Sequence, residues 1–184
     1  MFSAQSEPPG KAAIDDACHS LYPDQPNVTQ ITAMIKYWLG GPDPLDYVST
    51  YRNAGNPARN IPPHWHYVSY GLSDLFGDGR SFHDAATGPN GPSGFGFELT
   101  FRLAIKPGET NASVWPVISM NSLGRYFIRC GALIQEGHYL MQVMRECARG
   151  NALVVEDPQL GRITSPFGHV QFLQLVAISD DDIE

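Results

Sequence analysis

Two histidines, His64 and His66, stand one residue apart in a stretch rich in aromatic and β-branched residues. Such residues favour a β-strand over 64–72, and the side chains of a strand alternate between its two faces. Both imidazoles therefore point to one face, where they could converge on a metal ion. A catalytic zinc site normally has three protein ligands, and His83 and Asp74 are the candidates for the third. The alternative is a pair of half-buried histidines packed beside the aromatic residues of the strand.

Other catalytic patterns are missing from the sequence. The glycines of 94–96 lie inside a strand pattern and lack the third glycine or the Lys-Ser/Thr pair of a phosphate loop. Glu156 and Asp157 are adjacent, so on a strand they point to opposite faces and do not form a carboxylate pair for acid–base chemistry. We therefore predict a non-catalytic binding module without a cofactor. The enzymatic alternative is a metal-dependent hydrolase that uses His64 and His66.

Composition narrows the class of protein. With 184 residues, 42% of them hydrophobic, the chain is long and apolar enough for one domain with a real core. The net charge of −7 argues against direct binding of nucleic acid. Three cysteines without a C-x-x-C pattern favour a reducing compartment. Residues 1–10 are predicted to be a flexible tail without the apolar region of a signal peptide, and no apolar run is long enough to cross a membrane.

Hydrophobic periodicity predicts an α+β fold with a mixed, largely antiparallel sheet flanked by helices. The predicted helices cover 11–21, 29–39 and 116–129, and the predicted strands cover 45–51, 64–72, 94–105, 154–155 and 170–178. The core-facing stripe of the second helix consists of Ile31, Met34, Ile35 and Trp38, and that of the third of Ile118, Ser122, Leu123, Tyr126 and Phe127. Alternation is cleanest over 94–105, whereas 132–148 is ambiguous between helix and loop.

Several long motifs resemble one known family. They are Leu-Tyr-Pro-Asp-Gln-Pro-Asn at 21–27, the segments 36–48 and 64–75, the strand region 91–103 and Glu-Asp-Pro-Gln at 156–159. Together they are similar to the Suppressor of fused family of negative regulators of Hedgehog signalling, over about residues 12–180. The resemblance implies a non-catalytic protein of the cytoplasm and nucleus, and a chain that corresponds to the N-terminal domain of the family, here 11–184.

The resemblance also implies the partners. Family members bind Gli/Ci zinc-finger transcription factors, and a Ser-Tyr-Gly-His segment of the factor adds as a strand between the N- and C-terminal halves. Fused kinase is a further implied partner. The runner-up interpretation is a bacterial-type relative that acts as an immunity protein against a toxin.

Residue by residue, the family's groove tyrosine falls on Tyr126, which would otherwise be interpreted as ordinary helix packing. Its groove phenylalanine falls on Ile134, and its groove aspartate falls on His138, with Glu136 as the nearest carboxylate. A strand within 154–178 would flank the groove. Loss of the carboxylate at His138 removes a charge-assisted hydrogen bond of about 1.5–3 kcal/mol, so we expect weaker binding of the partner's histidine.

Overall fold

The computed structural model describes residues 7–78, 90–144 and 150–178. These residues form two α-helices, two short 3₁₀ helices at Tyr37–Leu39 and Pro57–Arg59, and eight strands. The helices are α1 (Pro9–Leu21) and α2 (Trp115–Cys130). The strands are β1 (Thr29–Thr32), β2 (Tyr47–Asn53), β3 (His64–Tyr70), β4 (Pro92–Ala104), β5 (Tyr139–Met144), β6 (Gly150–Glu156), β7 (Arg162–Ser165) and β8 (Gly168–Ile178).

All eight strands belong to one sheet, in the order β1-β2-β3-β4-β8-β6-β5, with β7 paired to β8. The neighbours are antiparallel except at the centre, where β4 and β8 run parallel. A parallel pair needs a long crossover, which α2 and the strands β5 to β7 supply here. The predicted α+β fold with a mixed, largely antiparallel sheet is confirmed.

Each face of the sheet carries its own core. Helix α2 packs on one face through Val117, Met120, Leu123 and Phe127, against inward side chains of β3 and β4 such as Tyr67 and Leu99. Helix α1 covers the other face, where Ile14 and Cys18 pack with Val68 and Tyr70. The alternation of β3 therefore divides its side chains between two buried layers, as the period-two pattern predicts.

Glu98 organises the turn that follows β3. Its side chain is fully buried and accepts hydrogen bonds from the hydroxyls of Ser69 and Ser73 and from the backbone N–H groups of Gly71, Leu72 and Ser73. Burial raises the pKa of Glu98, and these hydrogen bonds oppose that shift. The carboxyl group thereby fixes the chain direction between β3 and the segment that contacts α1.

The predicted helix over 29–39 is wrong. Residues 29–32 pair with β2 as strand β1, and a tight turn leads into the 3₁₀ helix. Lys36 points inward, with its Nζ 3.1 Å from Asp46 Oδ1 and 4.1 Å from the centre of the Tyr47 ring. Met34 and Ile35, by contrast, are exposed. The apolar spacing resembled a core-facing stripe, but four residue pairs with β2 and the partly buried Lys36 determine this segment instead.

Three smaller corrections concern helix and strand bounds. Helix α1 begins at Pro9, so the predicted tail is two residues too long, and buried Gly10 donates its N–H to Leu75 O at 2.9 Å. Helix α2 matches its predicted range, but Ile118 and Tyr126 lie on its exposed side. Strand β7 lies between the last two predicted strands and was not predicted.

Candidate functional site

The two histidines of β3 are held by the protein itself. His66 Nδ1 accepts a hydrogen bond from the Tyr22 hydroxyl at 2.7 Å, and His66 Nε2 lies 3.1 Å from Asp157 Oδ2. His64 Nδ1 donates to Pro62 O at 2.9 Å. Since both ring nitrogens of His66 are engaged, this residue offers no free lone pair to an ion.

The proposed third ligands do not complete a metal site. Asp74 Oδ1 accepts the backbone N–H groups of Phe76 and Gly77, which is an ordinary turn role. His83 lies outside the described residues. Within 7–78, 90–144 and 150–178, no three His, Cys, Asp or Glu side chains are grouped so that they could hold a metal ion. The geometry at His66 therefore argues against the hydrolase alternative.

His66 and Asp157 belong to a buried polar network that sequence reasoning missed. Asp157 accepts hydrogen bonds from Thr100 Oγ1 at 2.8 Å and from Arg102 at 3.0 Å, as well as from the backbone N–H groups of Gln159 and Leu160. Desolvation lowers the pKa of His66 and keeps it neutral, although its bond to Asp157 opposes the shift. Burial alone would raise the pKa of Asp157, but the His66 hydrogen bond and the Arg102 charge hold it well below its usual range. The network ties β3, β4 and the end of β6 together.

A groove of about 940 Å³ runs between α2 and β5. Helix α2 contributes one wall, which includes Ser119, Tyr126 and Arg129, and residues 139–143 contribute the other. Tyr126 is 53% exposed here, because the core-facing side of α2 is formed by Val117, Met120, Leu123 and Phe127. A half-exposed aromatic ring beside a strand edge is suited to contact a bound peptide.

Strand β5 is the last strand of the sheet in the described part of the chain. The Val154 N–H donates to His138 O at 2.9 Å, and Leu140 is opposite Ala152, so these residues turn their backbone groups toward β6. Because backbone groups alternate along a strand, Tyr139 and Met141 direct their N–H and C=O groups away from β6. The edge therefore presents four backbone hydrogen-bonding groups over three residues.

A bulge ends this free edge. Gln142 has a positive φ of 53°, the register shifts between Leu140 and Met144, and the Gln142 N–H donates to Asn151 Oδ1 at 2.9 Å. Bulges of this kind stop an edge from pairing further. An added strand can consequently pair with Tyr139 and Met141 but not continue along the rest of β5.

The three residues carried over from the family occupy different surroundings. Tyr126 lines the groove. Ile134 is only 8% exposed and packs into the core beneath α2. His138 lies directly before β5, is partly buried and is not one of the described residues that line the groove. The groove is also lined by Ser119 and Arg129 of α2 and by Tyr139 and Met141 of β5, which were not predicted. Nothing in the sequence marks β5 as an edge.

Comparison with known proteins identifies the family of this chain. The family model described as Suppressor of fused protein (SUFU) matches residues 41–184. The chain is 50% identical over 178 residues to the human protein named Suppressor of fused homolog. This alignment covers 95% of the chain and 36% of the human protein. The chain belongs to the Suppressor of fused family. A mouse Suppressor of fused homolog matches with the same identity and coverage. The chain thus spans about a third of the length of these curated relatives.

Solved structures of the family have the same fold. A Suppressor of fused chain from the Sufu-Fu complex superposes with a TM-score of 0.86 at 41% identity, covering 96% of this chain and 78% of that one. Drosophila Suppressor of Fused gives 0.85 at 41% identity, covering 97% and 44%. A Neisseria gonorrhoeae homologue, at 13% identity, 0.53 and coverage of 95% and 80%, shares the fold alone. In the described residues of this chain, no helix has the length and apolar content needed to cross a membrane.

Proposed function

We propose that this chain is a non-catalytic regulator of Hedgehog signalling that binds a Gli/Ci-type transcription factor through a peptide strand added to β5. The observation that carries the proposal is the free backbone edge at Tyr139 and Met141, beside the groove that Tyr126 lines. Backbone pairing supplies affinity in this mode of recognition, and adjacent side-chain pockets supply specificity. Binding of this kind would retain the factor in the cytoplasm and restrain it in the nucleus.

The length of the free edge fits the proposed ligand. Two outward-facing residues two positions apart, Tyr139 and Met141, can pair with a strand of three to four residues before the bulge at Gln142 interrupts the ladder. The Ser-Tyr-Gly-His segment has that length. A second groove, of about 550 Å³ between α1 and the segment 25–30, is lined mainly by polar side chains.

Fluorescence anisotropy of a labelled Ser-Tyr-Gly-His peptide tests this proposal. The peptide is titrated with the chain alone and with the chain plus the remaining portion of the human relative, expressed separately. Tyr126→Ala should weaken binding about tenfold, because a half-exposed aromatic ring contributes a large share of contact energy in a peptide groove. Binding that is unchanged by this substitution, or no binding in either mixture, contradicts the proposal.

The pair M141P and M141A provides a sharper test of strand addition. Proline at Met141 removes an N–H that points away from β6, so the internal ladder with β6 is kept while one donor to the ligand is lost. Alanine removes the same side chain and keeps the donor. We expect M141P to bind the peptide much more weakly than M141A, with similar melting temperatures. Equal binding by the two variants would mean that the peptide does not pair with this edge.

A Fused-type kinase is the second partner that we propose. The support is that a relative crystallised as the Sufu-Fu complex is close to this chain in length, since this chain covers 78% of it at a TM-score of 0.86. Calorimetric titration of the chain with the Fu portion of that complex is the test. A measurable heat of binding with one-to-one stoichiometry supports the proposal, and its absence rejects it for this chain.

The immunity-protein alternative has weaker support. Its observation is the Neisseria homologue, which at 13% identity shares the fold and nothing more, whereas the human protein is 50% identical.

A further inference from the structure

The charges of the groove between α2 and β5 are all of one sign. Its charged lining residues in the described chain are Arg125 and Arg129, and no carboxylate lines it. This contrasts with the net charge of −7 for the whole chain. A cationic groove on an acidic protein requires an explanation in terms of what the groove binds.

The two arginines differ in their availability. Arg125 is held by Asp43 at 2.9 Å, by Pro42 O at 3.3 Å and by Ser122 at 2.9 Å, so its charge is compensated. Arg129 is exposed, and no ion pair joins it to any carboxylate of the described residues. Arg129 therefore offers an unsatisfied guanidinium at the end of the groove.

The partial negative charge at the C-terminus of α2 lowers the positive potential at Arg129 without cancelling it. A helix end carries about half a negative elementary charge, which acts on Arg129 in the last turn. The N–H groups of Gly131 and Ala132 already bond to Phe127 O, which satisfies part of that end. A full guanidinium charge is about twice the helix-end charge, so the local field stays positive.

The other end of the groove carries an unused hydroxyl. Ser119 is buried and lines the groove, and its Oγ has no hydrogen-bond partner among the described residues. Ser119 and Arg129 are ten positions apart on α2 (129 − 119), or about 15 Å at 1.5 Å per residue. An extended segment of four to five residues covers about that length. One ligand of this length can thus extend along the groove from the wall at Ser119 to the guanidinium of Arg129.

From this arrangement we propose that the groove selects a peptide strand with an anionic group, a carboxylate or a phosphate, that reaches Arg129. The inference rests on the proposed strand addition to β5 and specifies the chemistry of that ligand. A histidine at the same ligand position finds no carboxylate among the groove residues. His138 replaces the family's aspartate, and the nearest carboxylate, Glu136, lies before β5 and does not line the groove. An anion finds a guanidinium, which binds carboxylate and phosphate oxygens in a two-point geometry.

The test compares four labelled peptides on the intact chain: Ser-Tyr-Gly-His, and the same peptide with Asp, Asn or phosphoserine at the last position. We expect the Asp peptide to bind about fivefold more tightly than the Asn peptide, the size typical of a partly exposed ion pair with good geometry. The difference should shrink in about 0.5 M NaCl, because salt screens exposed charges. A phosphoserine peptide tighter than Asp identifies phosphate as the anion, and the reverse order identifies carboxylate.

Two substitutions locate the effect. Arg129→Gln should abolish the preference for Asp over Asn, because it should weaken binding of the Asp peptide more than binding of the Asn peptide. Arg59→Gln, at an exposed arginine in the 3₁₀ helix Pro57–Arg59, is the matched control and should keep the preference. Bound peptide should also slow alkylation of Cys130, which is exposed and lines the groove.

The outcomes separate this inference from the proposed function. If the His peptide binds as tightly as the Asp peptide or more tightly, anion selection is rejected while strand addition stands. If the Asp preference survives Arg129→Gln, the assignment to Arg129 is rejected. If none of the four peptides binds, strand addition itself fails, and the inference fails with it.

Discussion

His66 Nε2 lies 3.1 Å from Asp157 Oδ2, and neither side chain is exposed to solvent. The two residues are 91 positions apart in the chain, so their hydrogen bond joins the middle of β3 to the turn after β6. Because Tyr22 donates to the opposite nitrogen, His66 is fixed as the neutral tautomer that carries its proton on Nε2. This contact converts two sequence motifs into one structural unit.

Stability should fall in mild acid because of His66. In the folded protein the pKa of His66 lies below its ordinary value of 6.5. Below about pH 6.5 the unfolded chain therefore binds a proton at His66 that the folded chain does not bind. The stabilisation is therefore present above pH 6.5 and is lost as the pH falls from there toward the folded pKa, with a slope of at most about 1.4 kcal/mol per pH unit. Urea unfolding at several pH values measures it.

His66→Gln should flatten that slope, and His19→Gln, at an exposed position near the end of α1, should leave it unchanged. An identical slope in wild type and His66→Gln would show that other groups cause the acid sensitivity.

Asp157→Asn should destabilise the fold by about 3 kcal/mol, because it leaves the Arg102 charge without its buried partner. The wild-type carboxylate has a folded pKa below its unfolded value of 3.8. Its stabilisation is thus complete above about pH 4 and is lost as the pH falls further, a loss that the variant should not show. Denaturant unfolding measures both effects, with exposed Asp16→Asn as the control. A cost no larger than that of the control would contradict the network's role.

The cysteines should differ sharply in reactivity. Burial raises the pKa of Cys18 to about 12, whereas Cys130 is exposed at the groove. Since the thiolate is the reactive form, iodoacetamide should alkylate Cys130 in the native protein and Cys18 only after unfolding. Mass spectrometry of proteolytic fragments reads the two sites separately. Rapid native labelling of Cys18 would show that α1 detaches from the sheet.

Gly10→Ala should loosen the start of α1. A Cβ at Gly10 would lie 2.3 Å from Asp74 O and 2.7 Å from Leu75 Cα, and backbone atoms cannot yield as a side-chain tip can. We expect a loss of about 1–3 kcal/mol, as for other overpacked sites, together with faster labelling of Cys18. Ala12→Gly, two residues later on the same helix, is the control for helix propensity, with an expected cost of about 1 kcal/mol. Full retention of stability in Gly10→Ala would mean that this close approach is not maintained in solution.

Sequence reasoning succeeded where one local pattern determined the outcome. Strand β4 alternates strictly, and Phe97, Leu99 and Phe101 do lie in the core beneath α2. It failed at 29–39, where a helical spacing of apolar residues competed with pairing to β2 and with the inward-pointing Lys36. Periodicity reports which residues share a side, but it does not report whether that side is covered.

The candidate site was predictable only in part, for the same reason. Tyr126 came from a family motif, and it does line the groove. The exposure of Met141 and the free backbone of β5 depend on where β5 stands in the sheet, which is a long-range property. Asp157 was interpreted as one of two opposed strand carboxylates. Its role in the network could not be predicted, because its contacts with His66 and Thr100 join distant parts of the chain.

The parallel pairing of β4 with β8 has a consequence for how the chain reaches its native state. Phe101 is opposite Leu175, 74 residues later (175 − 101), so the centre of the sheet closes late during synthesis. Until β8 emerges from the ribosome, the meander β1–β4 ends in a long apolar edge that is open to other chains. We expect slow folding, limited by this single long-range closure, and a dependence on chaperones while the nascent chain waits for it.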